Sequence, residues 1–356
     1  YHIQQTFFQT LCPRCRWAYR LLIMKPPFSL TNAMLNDMVE ISSLIGQLQV
    51  QQERNLALRR ERRIQSIQSS LAIENNSLTL EQVTAILDGK RVLGPPEEIQ
   101  EVKNAYQAYE EILAYDPFSV NDFLKAHQLL TQGLVRQTGC FRSKDVGIYN
   151  AQGKVIHVGA RPQFVPGLMA DLLKWAKTDE TPLLIKSAVV HYEIEMIHPF
   201  EDGNGRMGRL WQSVLLSRWN SLFAWLPVET MVHDNQTQYY EKLRAADKAN
   251  SSTVFIEFML QMILAAIQKL HLPVIAHIES DNLSEKMSDK EREVFAVVEL
   301  YLGKHASITA ATVQSITGLS AATARRYLSA FVRKGLLEPS GQYKARSYHL
   351  KTDNNE

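Results

Sequence analysis

His198-Pro199-Phe200-Glu201-Asp202-Gly203-Asn204-Gly205-Arg206-Met207-Gly208-Arg209 gathers a titratable base, a hard carboxylate, a glycine-lined turn and two arginines into consecutive positions. Asp202-Gly203-Asn204-Gly205 reads as a turn, because glycine permits positive φ and close backbone approach to a ligand. From Arg206 to Trp219, apolar residues at Leu210, Val214, Leu215 and Trp219 recur at helical spacing. The turn therefore presents free backbone N–H groups at a helix N-terminus, a site for anions. Arg206 and Arg209 lie three apart, on one face of the first turn, where both reach a bound phosphate. Two cations at a helix start oppose the macrodipole, a cost that a bound polyanion offsets. Upstream, Leu183 to Ile197 reads as a helix with Ile185, Val189, Tyr192 and Met196 on one apolar stripe. His198 follows where that helix stops before Pro199, and an imidazole with an unperturbed pKa near ~6.5 can accept a proton near neutral pH. Asp202 suits Mg²⁺ that bridges phosphates. Together these residues point to phosphoryl or nucleotidyl transfer from a nucleotide. A purely structural turn between core helices explains the glycines, but not the convergence of His, Asp and two Arg.

The segment resembles the signature of Fic-domain proteins, HxFx(D/E)GNGRxxR, at every specified position. The resemblance implies an enzyme that transfers AMP from ATP to a hydroxyl of a target protein, itself included, with release of pyrophosphate. It implies that His198 deprotonates the incoming hydroxyl and that Asp202 holds Mg²⁺ against the α- and β-phosphates. Gly203, Asn204 and Gly205, with Met207 and Gly208 in the same run, would line the nucleotide cradle, and Arg206 and Arg209 would bind the β- and γ-phosphates. Relatives that transfer the terminal phosphate instead carry Lys at the position of Gly205, so glycine there favours AMP transfer.

Ser70-Leu71-Ala72-Ile73-Glu74-Asn75 resembles the inhibitory motif (S/T)xxxE(G/N) of the same family. The resemblance implies that Glu74 pairs with Arg209 and displaces the γ-phosphate. A bidentate Arg–carboxylate pair shielded from water is strong enough to compete with one phosphate contact. In some relatives the same Glu takes part in removing AMP from targets. Tyr239-Tyr240 falls where an adjacent Tyr pair lies near the nucleobase in Fic proteins, which makes Tyr240 a nucleotide-site candidate. His191 is on the helix that precedes His198 and is expected to pack rather than to catalyse.

The chain has 356 residues, enough for two cores. Its 45% hydrophobic and 21% charged content is that of a globular protein, and a net charge of +2 argues neither for nor against nucleic acid. Three cysteines, Cys12, Cys15 and Cys140, give no disulfide framework and fit a reducing cytoplasm. Cys12 and Cys15 form a lone CxxC without the second pair that a zinc site needs. No uninterrupted apolar run reaches the ~18 residues of a membrane span.

The fold expected is mostly α, a helical Fic fold with a small β-hairpin flap and a C-terminal winged helix. Residues 1–23 are expected to be a non-native or disordered extension. Residues 24–110 form an N-terminal helical region that carries the inhibitory motif, and 111–278 the catalytic domain. Residues 279–288 form a polar linker, and 289–356 the winged helix. Helices are read over Asn32–Leu48, Gln52–Ile73, from Thr79 (with a Thr79/Gln82 capping box) to Gly89, over Glu97–Leu113 and Phe118–Leu134, and from Val165 to about Leu270. Val146–Tyr149 and Val155–Val158 around Ala151-Gln152-Gly153 read as a hairpin. In Fic proteins such a flap holds the target segment by strand addition. At the C-terminus, Asp289–Leu302, Thr309–Thr317 and Ser320–Lys334 read as helices, followed by two short strands within Leu336–Tyr348. Ser320–Lys334 sits in the recognition position, with Arg325, Arg326, Arg333, Lys334, Lys344 and Arg346 supplying modest basicity. The partners compatible with this reading are ATP, a protein with an exposed hydroxyl, a second copy of the chain and DNA, with no membrane. Two other readings stay open: an enzyme of the same fold that removes AMP or transfers another phosphate-linked group, and a DNA-binding regulator that uses its Fic domain to sense nucleotide.

Overall fold

A computed structural model describes residues 25–52, 56–149, 155–278, 288–302, 305, 307–341 and 346–350. The 1–23 extension, the Ala151-Gln152-Gly153 turn and nearly all of the 279–288 linker lie outside them. The chain divides into two compact units, one holding residues up to 42 and 62–266, the other 43–61 and 267 onward. The helical segments before residue 110 thus divide between the units, and 62–110 folds with the catalytic segment rather than apart from it. The reason lies in the core: Ile67, Leu71, Val102, Ala105 and Tyr109 are all buried.

The first unit begins with α1 (Asn32–Gln52) and α2 (Leu56–Ile73), whose outer portions belong to the second unit. Next come α3 (Leu80–Leu87), α4 (Pro96–Glu110) and α5 (Val120–Thr131). The Thr79/Gln82 capping box forms as expected, and Pro96 occupies the first turn of α4, where its missing N–H costs nothing. Strands β1 (Gly147–Tyr149) and β2 (Val155–Val158) pair antiparallel, Gly147 opposite Val158, with an irregularity between Ile148 and Tyr149. Then follow α6 (Val165–Thr178), α7 (Leu183–Ile197), α8 (Asn204–Trp219), α9 (Val228–Asp234), α10 (Gln236–Ala249) and α11 (Thr253–Ile278), whose residues from 267 on belong to the second unit.

The centre of this unit is the pair α7 and α8, with α6 against α7 and α5 against α8. α7 corrects the sequence reading: it has no apolar stripe with a wet opposite face, because every residue from Leu184 to Ile197 is buried. A helix enclosed on all sides needs partners for its polar groups. Lys186 supplies one such pairing by donating to the carbonyls of Ala176 and Asp179 at the end of α6. Between α5 and α8, Phe123 meets Trp211 edge to face at 5.1 Å, and Trp211 donates its indole N–H to the Pro117 carbonyl.

α11 runs on to Ile278, past the Leu270 boundary expected from the pattern. Its stretch Thr253–Leu270 has the length and composition of a membrane span without being an uninterrupted apolar run. Glu257 and Lys269 interrupt it, and half of it is buried inside the protein, Phe255, Ile256, Met259, Leu260 and Ile263 among the core residues.

In the second unit, α12 (Asp289–Leu302), β3 (Ile308–Thr309), α13 (Ala310–Thr317), α14 (Ala321–Arg333), β4 (Leu337–Ser340) and β5 (Ser347–Leu350) follow in order. Its sheet is antiparallel in the order β3-β5-β4. Thr309 and Ser320 cap the two middle helices, and Gly318 turns between them at φ +68°. Val298, Ile308, Val313, Leu328, Phe331, Leu337 and Tyr348 form its core. The sequence reading missed β3: two residues are too few to show alternation, and their pairing with Ser347 and Tyr348 is long-range.

Candidate active site

α7 ends at Ile197 because His198 turns left-handed, at φ 53° and ψ 62°. That conformation costs a non-glycine residue about 1–2 kcal/mol, so the surroundings must hold it. The half-buried ring faces back along the helix, its Nδ1 3.3 Å from the Glu195 carbonyl. A carbonyl only accepts, so Nδ1 carries the proton and Nε2 is the basic nitrogen.

The loop from His198 to Gly203 is fastened at three points. Phe200, fully buried, stacks on the His127 ring at 3.6 Å and 2° and lies beside Phe123 and Phe141. The Asn204 side chain spans the loop, accepting from Phe200 N–H at 2.9 Å and donating to the Phe200 carbonyl at 3.0 Å. His127 Nδ1 accepts the Gly139 N–H, which leaves Nε2–H to donate to the Asp202 carbonyl at 3.1 Å. Burial pushes the His127 pKa down to about 4, so this clamp is a neutral imidazole.

The expected turn 202–205 is shorter than its sequence suggests. Gly203 alone adopts positive φ, +82°, as the N-cap of α8, and Asn204 and Gly205 are already helical. The first intrahelical bond runs from Met207 N–H to the Gly203 carbonyl, so the N–H groups of the preceding helical residues, Asn204 to Arg206, lie at the open end. Gly205 matters for a different reason than backbone freedom: a Cβ there would stand 2.3 Å from Glu74 Oε1. Met207 and Gly208 face packed protein in this structure. Met207 is fully buried, with its N–H already used, and Gly208 lets His191 pack close, since a Cβ would meet that ring at 2.6 Å.

Both arginines are buried, and carboxylates engage them. Arg206 donates to Glu101 at 2.9 Å and to Asp202 at 3.0 Å. Arg209 donates through Nη2 to Glu74 Oε1 at 2.7 Å and to the Ser70 carbonyl at 3.0 Å, and through Nε to Ser70 Oγ at 3.0 Å. The Glu74 contact therefore uses one oxygen; the bidentate pair expected from sequence does not form, since Nη2 and Nε are shared with Ser70 and Nη1 makes no hydrogen bond. Burial opposes the charge of Arg209, yet Glu74, Tyr239 and Glu195 around it hold its pKa above the ordinary arginine value. Arg206 Nε and Arg209 Nη1 are buried without a hydrogen-bond partner among the described residues, which fits a site that receives an anion.

Tyr240, partly exposed, donates to the Ile73 carbonyl at 3.4 Å, and Gln236 donates to the same oxygen at 2.8 Å. Tyr240 thus borders the segment that carries Glu74. Tyr239 is core, as is His191, which bonds Gln212 and Tyr239. Asp202 keeps its carboxylate 60% exposed. Among the described residues no three His, Cys, Asp or Glu side chains cluster as a metal cage. One exposed carboxylate next to an anion site nevertheless matches how Mg²⁺ is bound through a single carboxylate and substrate phosphates.

Sequence reading did not single out Arg142, His127 or Glu101 as functional. Arg142 is buried and donates to the carbonyls of His198, Lys144, Ala160 and Ile197. The Gly139-to-Arg142 segment precedes the hairpin read from sequence, and its contacts with residues 197–202 are long-range, beyond the reach of a local pattern.

Residues 117–216 match the Fic/DOC family model. The chain is 28% identical over 249 residues to the Caenorhabditis elegans protein adenylyltransferase fic-1, covering 65% of this chain and 46% of that protein. The chain spans about half the length of the curated relatives it matches. A crystal structure of a Fic family protein from Desulfovibrio desulfuricans G20 superposes with a TM-score of 0.69 at 39% identity, over 93% of this chain and 100% of that one. The C. elegans Fic-1 structure shares the fold, with a TM-score of 0.54 at 21% identity over 70% and 74% of the two chains.

Proposed function

Because this chain belongs to the Fic family, we propose that it is a protein adenylyltransferase that moves AMP from ATP to a Ser, Thr or Tyr hydroxyl of a target protein. The observation that carries this reading is a basic His198 Nε2 beside a helix N-terminus backed by two buried arginines with unfilled donors. In the step proposed, the target hydroxyl oxygen attacks the α-phosphorus while its proton passes to Nε2. The bond from that phosphorus to the bridging oxygen breaks, and pyrophosphate leaves. The open N–H groups at the start of α8 and the arginine donors neutralise phosphate charge. Asp202 would hold Mg²⁺, which when bound neutralises phosphate charge further. The β1–β2 hairpin is where an extended target segment would add as a strand.

We read Glu74 as the brake on this reaction. Its carboxylate occupies the guanidinium that a γ-phosphate needs, so ATP would bind out of line until the end of α2 moves. The test is incorporation of α-labelled ATP into the protein itself, comparing wild type with Glu74→Gly and Glu74→Gly/His198→Ala. Label in the first variant that is lost in the second supports the reading. No label in any variant at saturating ATP and Mg²⁺ overturns it.

One observation favours a role for the second unit too. α14 exposes Arg325, Arg326 and Arg333 and carries no acidic residue. We read this unit as a winged helix that lays α14 on duplex DNA. Fluorescence anisotropy with duplex DNA should show binding that weakens steeply with salt and is lost in Arg325→Ala/Arg326→Ala.

A further inference from the structure

We propose that Arg142 is a positioning residue for the transfer reaction: it fixes the peptides on either side of His198 and ties them to the base of the β1–β2 hairpin. The inference rests on the transferase reading above.

The geometry is specific. Arg142 Nε donates to the His198 carbonyl at 2.6 Å and Nη2 to the Ile197 carbonyl at 3.3 Å. These two carbonyls belong to the peptide planes before and after the His198 Cα, so holding both holds its φ and ψ. The Arg142 backbone N–H adds a third bond, to the Pro199 carbonyl at 3.0 Å, and Ala160 N–H a second donor to Ile197 at 3.2 Å. The same guanidinium donates to the carbonyls of Lys144, ahead of β1, and Ala160, after β2. One planar fork therefore joins both legs of the hairpin to the residue that carries the base.

Three physical points make this more than a buried ion finding partners. The last carbonyls of α7 have no acceptor role left inside the helix and lie at its negative end, where a cation is favoured. His198 sits in a conformation that a side chain pays for, and such strain persists only when its surroundings over-determine it. The close fit also reaches the opposite leg: a Cβ on Gly159 would meet Arg142 Nη2 at 2.9 Å and His198 Cβ at 3.2 Å, so glycine lets the hairpin close on both. Lysine offers a compact charge with three donors and cannot address all four carbonyls.

The consequence is catalytic alignment. A general base must stand within hydrogen-bond reach of the proton it takes, and an error of about 1 Å costs on the order of 10²-fold. Binding of a target strand on the hairpin would bear on the same fork that aims His198.

The test uses the full chain with Glu74→Gly as parent, and adds Arg142→Ala or Arg142→Lys. The expected result is a kcat lower by about 10²-fold for Ala and about tenfold or more for Lys, with KM for ATP changed by less than about threefold. Millimolar guanidinium chloride should restore part of the Arg142→Ala rate, and none of the rate of His198→Ala. A kcat for Arg142→Ala within about twofold of the parent overturns the proposal. So does a loss matched by an equal loss of folded protein or ATP affinity without guanidinium rescue, which is what a merely structural role predicts. If the parent itself transfers no AMP, the transferase reading fails, and the positioning claim is judged from amide hydrogen exchange at Ile197 and His198. Faster exchange there in the folded Arg142→Lys protein supports it, and unchanged exchange overturns it.

Discussion

The two ends of the candidate site are built differently. Around His198 the chain is held by buried side chains that bond backbone: Arg142 to the Ile197 and His198 carbonyls, His127 to Asp202 and Asn204 to Phe200. Around Glu74 the contacts are fewer and wetter. Its carboxylate is 37% exposed and, among the described residues, is ion-paired to Arg209 alone. The helix behind it docks through small hydroxyls, Ser69 on Thr230 at 3.0 Å and Ser70 on Arg209. On release Glu74 regains water, and buried Arg209 still has its two bonds to Ser70 and can take a phosphate in exchange, whereas a buried carbonyl stripped of its only donor costs ~1–3 kcal/mol. The base side is thus expensive to disturb and the Glu74 side cheap to release, which suits a fixed reaction centre under a removable brake.

The strongest test of that contrast is removal of the base. His198→Ala in the Glu74→Gly background should lower AMP transfer by ~10²–10⁴-fold while calorimetry still shows ATP binding, since a base acts on the transition state more than on nucleotide affinity. Wild-type labelling would remove His198 from its role.

On the brake side the sign reverses. Glu74→Gly should raise transfer by up to about 10²-fold through correct alignment of ATP. Glu74→Gly/Arg209→Ala should lose that gain, because the freed guanidinium is what the γ-phosphate needs. An unchanged rate at saturating ATP in Glu74→Gly would show that the contact restrains nothing.

Asp202 stands between the two ends, its backbone clamped by His127 and its carboxylate free to turn from Arg206 toward a cation. Asp202→Ala should shift the Mg²⁺ dependence by at least the ~10–100-fold that loss of an outer-shell metal partner costs. A titration with Mg²⁺ that superposes on the parent would remove Asp202 from the metal site.

The smallest effect sharpens the claim that the base loop is rigid. Asn204→Ala leaves the Phe200 N–H and carbonyl buried without their partner, and should cost about 1–3 kcal/mol in denaturant unfolding. Ser69→Ala, at the α2 docking surface, should cost less than about 1 kcal/mol, because its hydroxyl gives up one neutral hydrogen bond. Equal losses would erase the distinction between the two regions.

Helices, their caps and the signature segment were legible in the sequence because their causes are local. The 3.6-residue period gave α7 and the body of α8, Thr79 with Gln82 gave the start of α3, and two short β-rich runs flanking a glycine-containing turn gave the hairpin. The chemistry of residues 198–209 was readable for the same reason: base, carboxylate, glycine and arginines lie within one short segment. The sequence could also place Glu74 and Arg209 in motifs, since each motif is contiguous.

What those residues touch was decided by tertiary structure. Glu74 and Arg209 are 135 positions apart, Arg142 and His198 are 56, and His127 and Asp202 are 75. Arginine and histidine carry the same donors wherever they stand, so nothing in residue type says which carbonyl will lie before them. That is fixed only when helices bury their apolar faces and the polar groups trapped at the closing interfaces must find partners, at a penalty of ~1–3 kcal/mol for each one left unmatched.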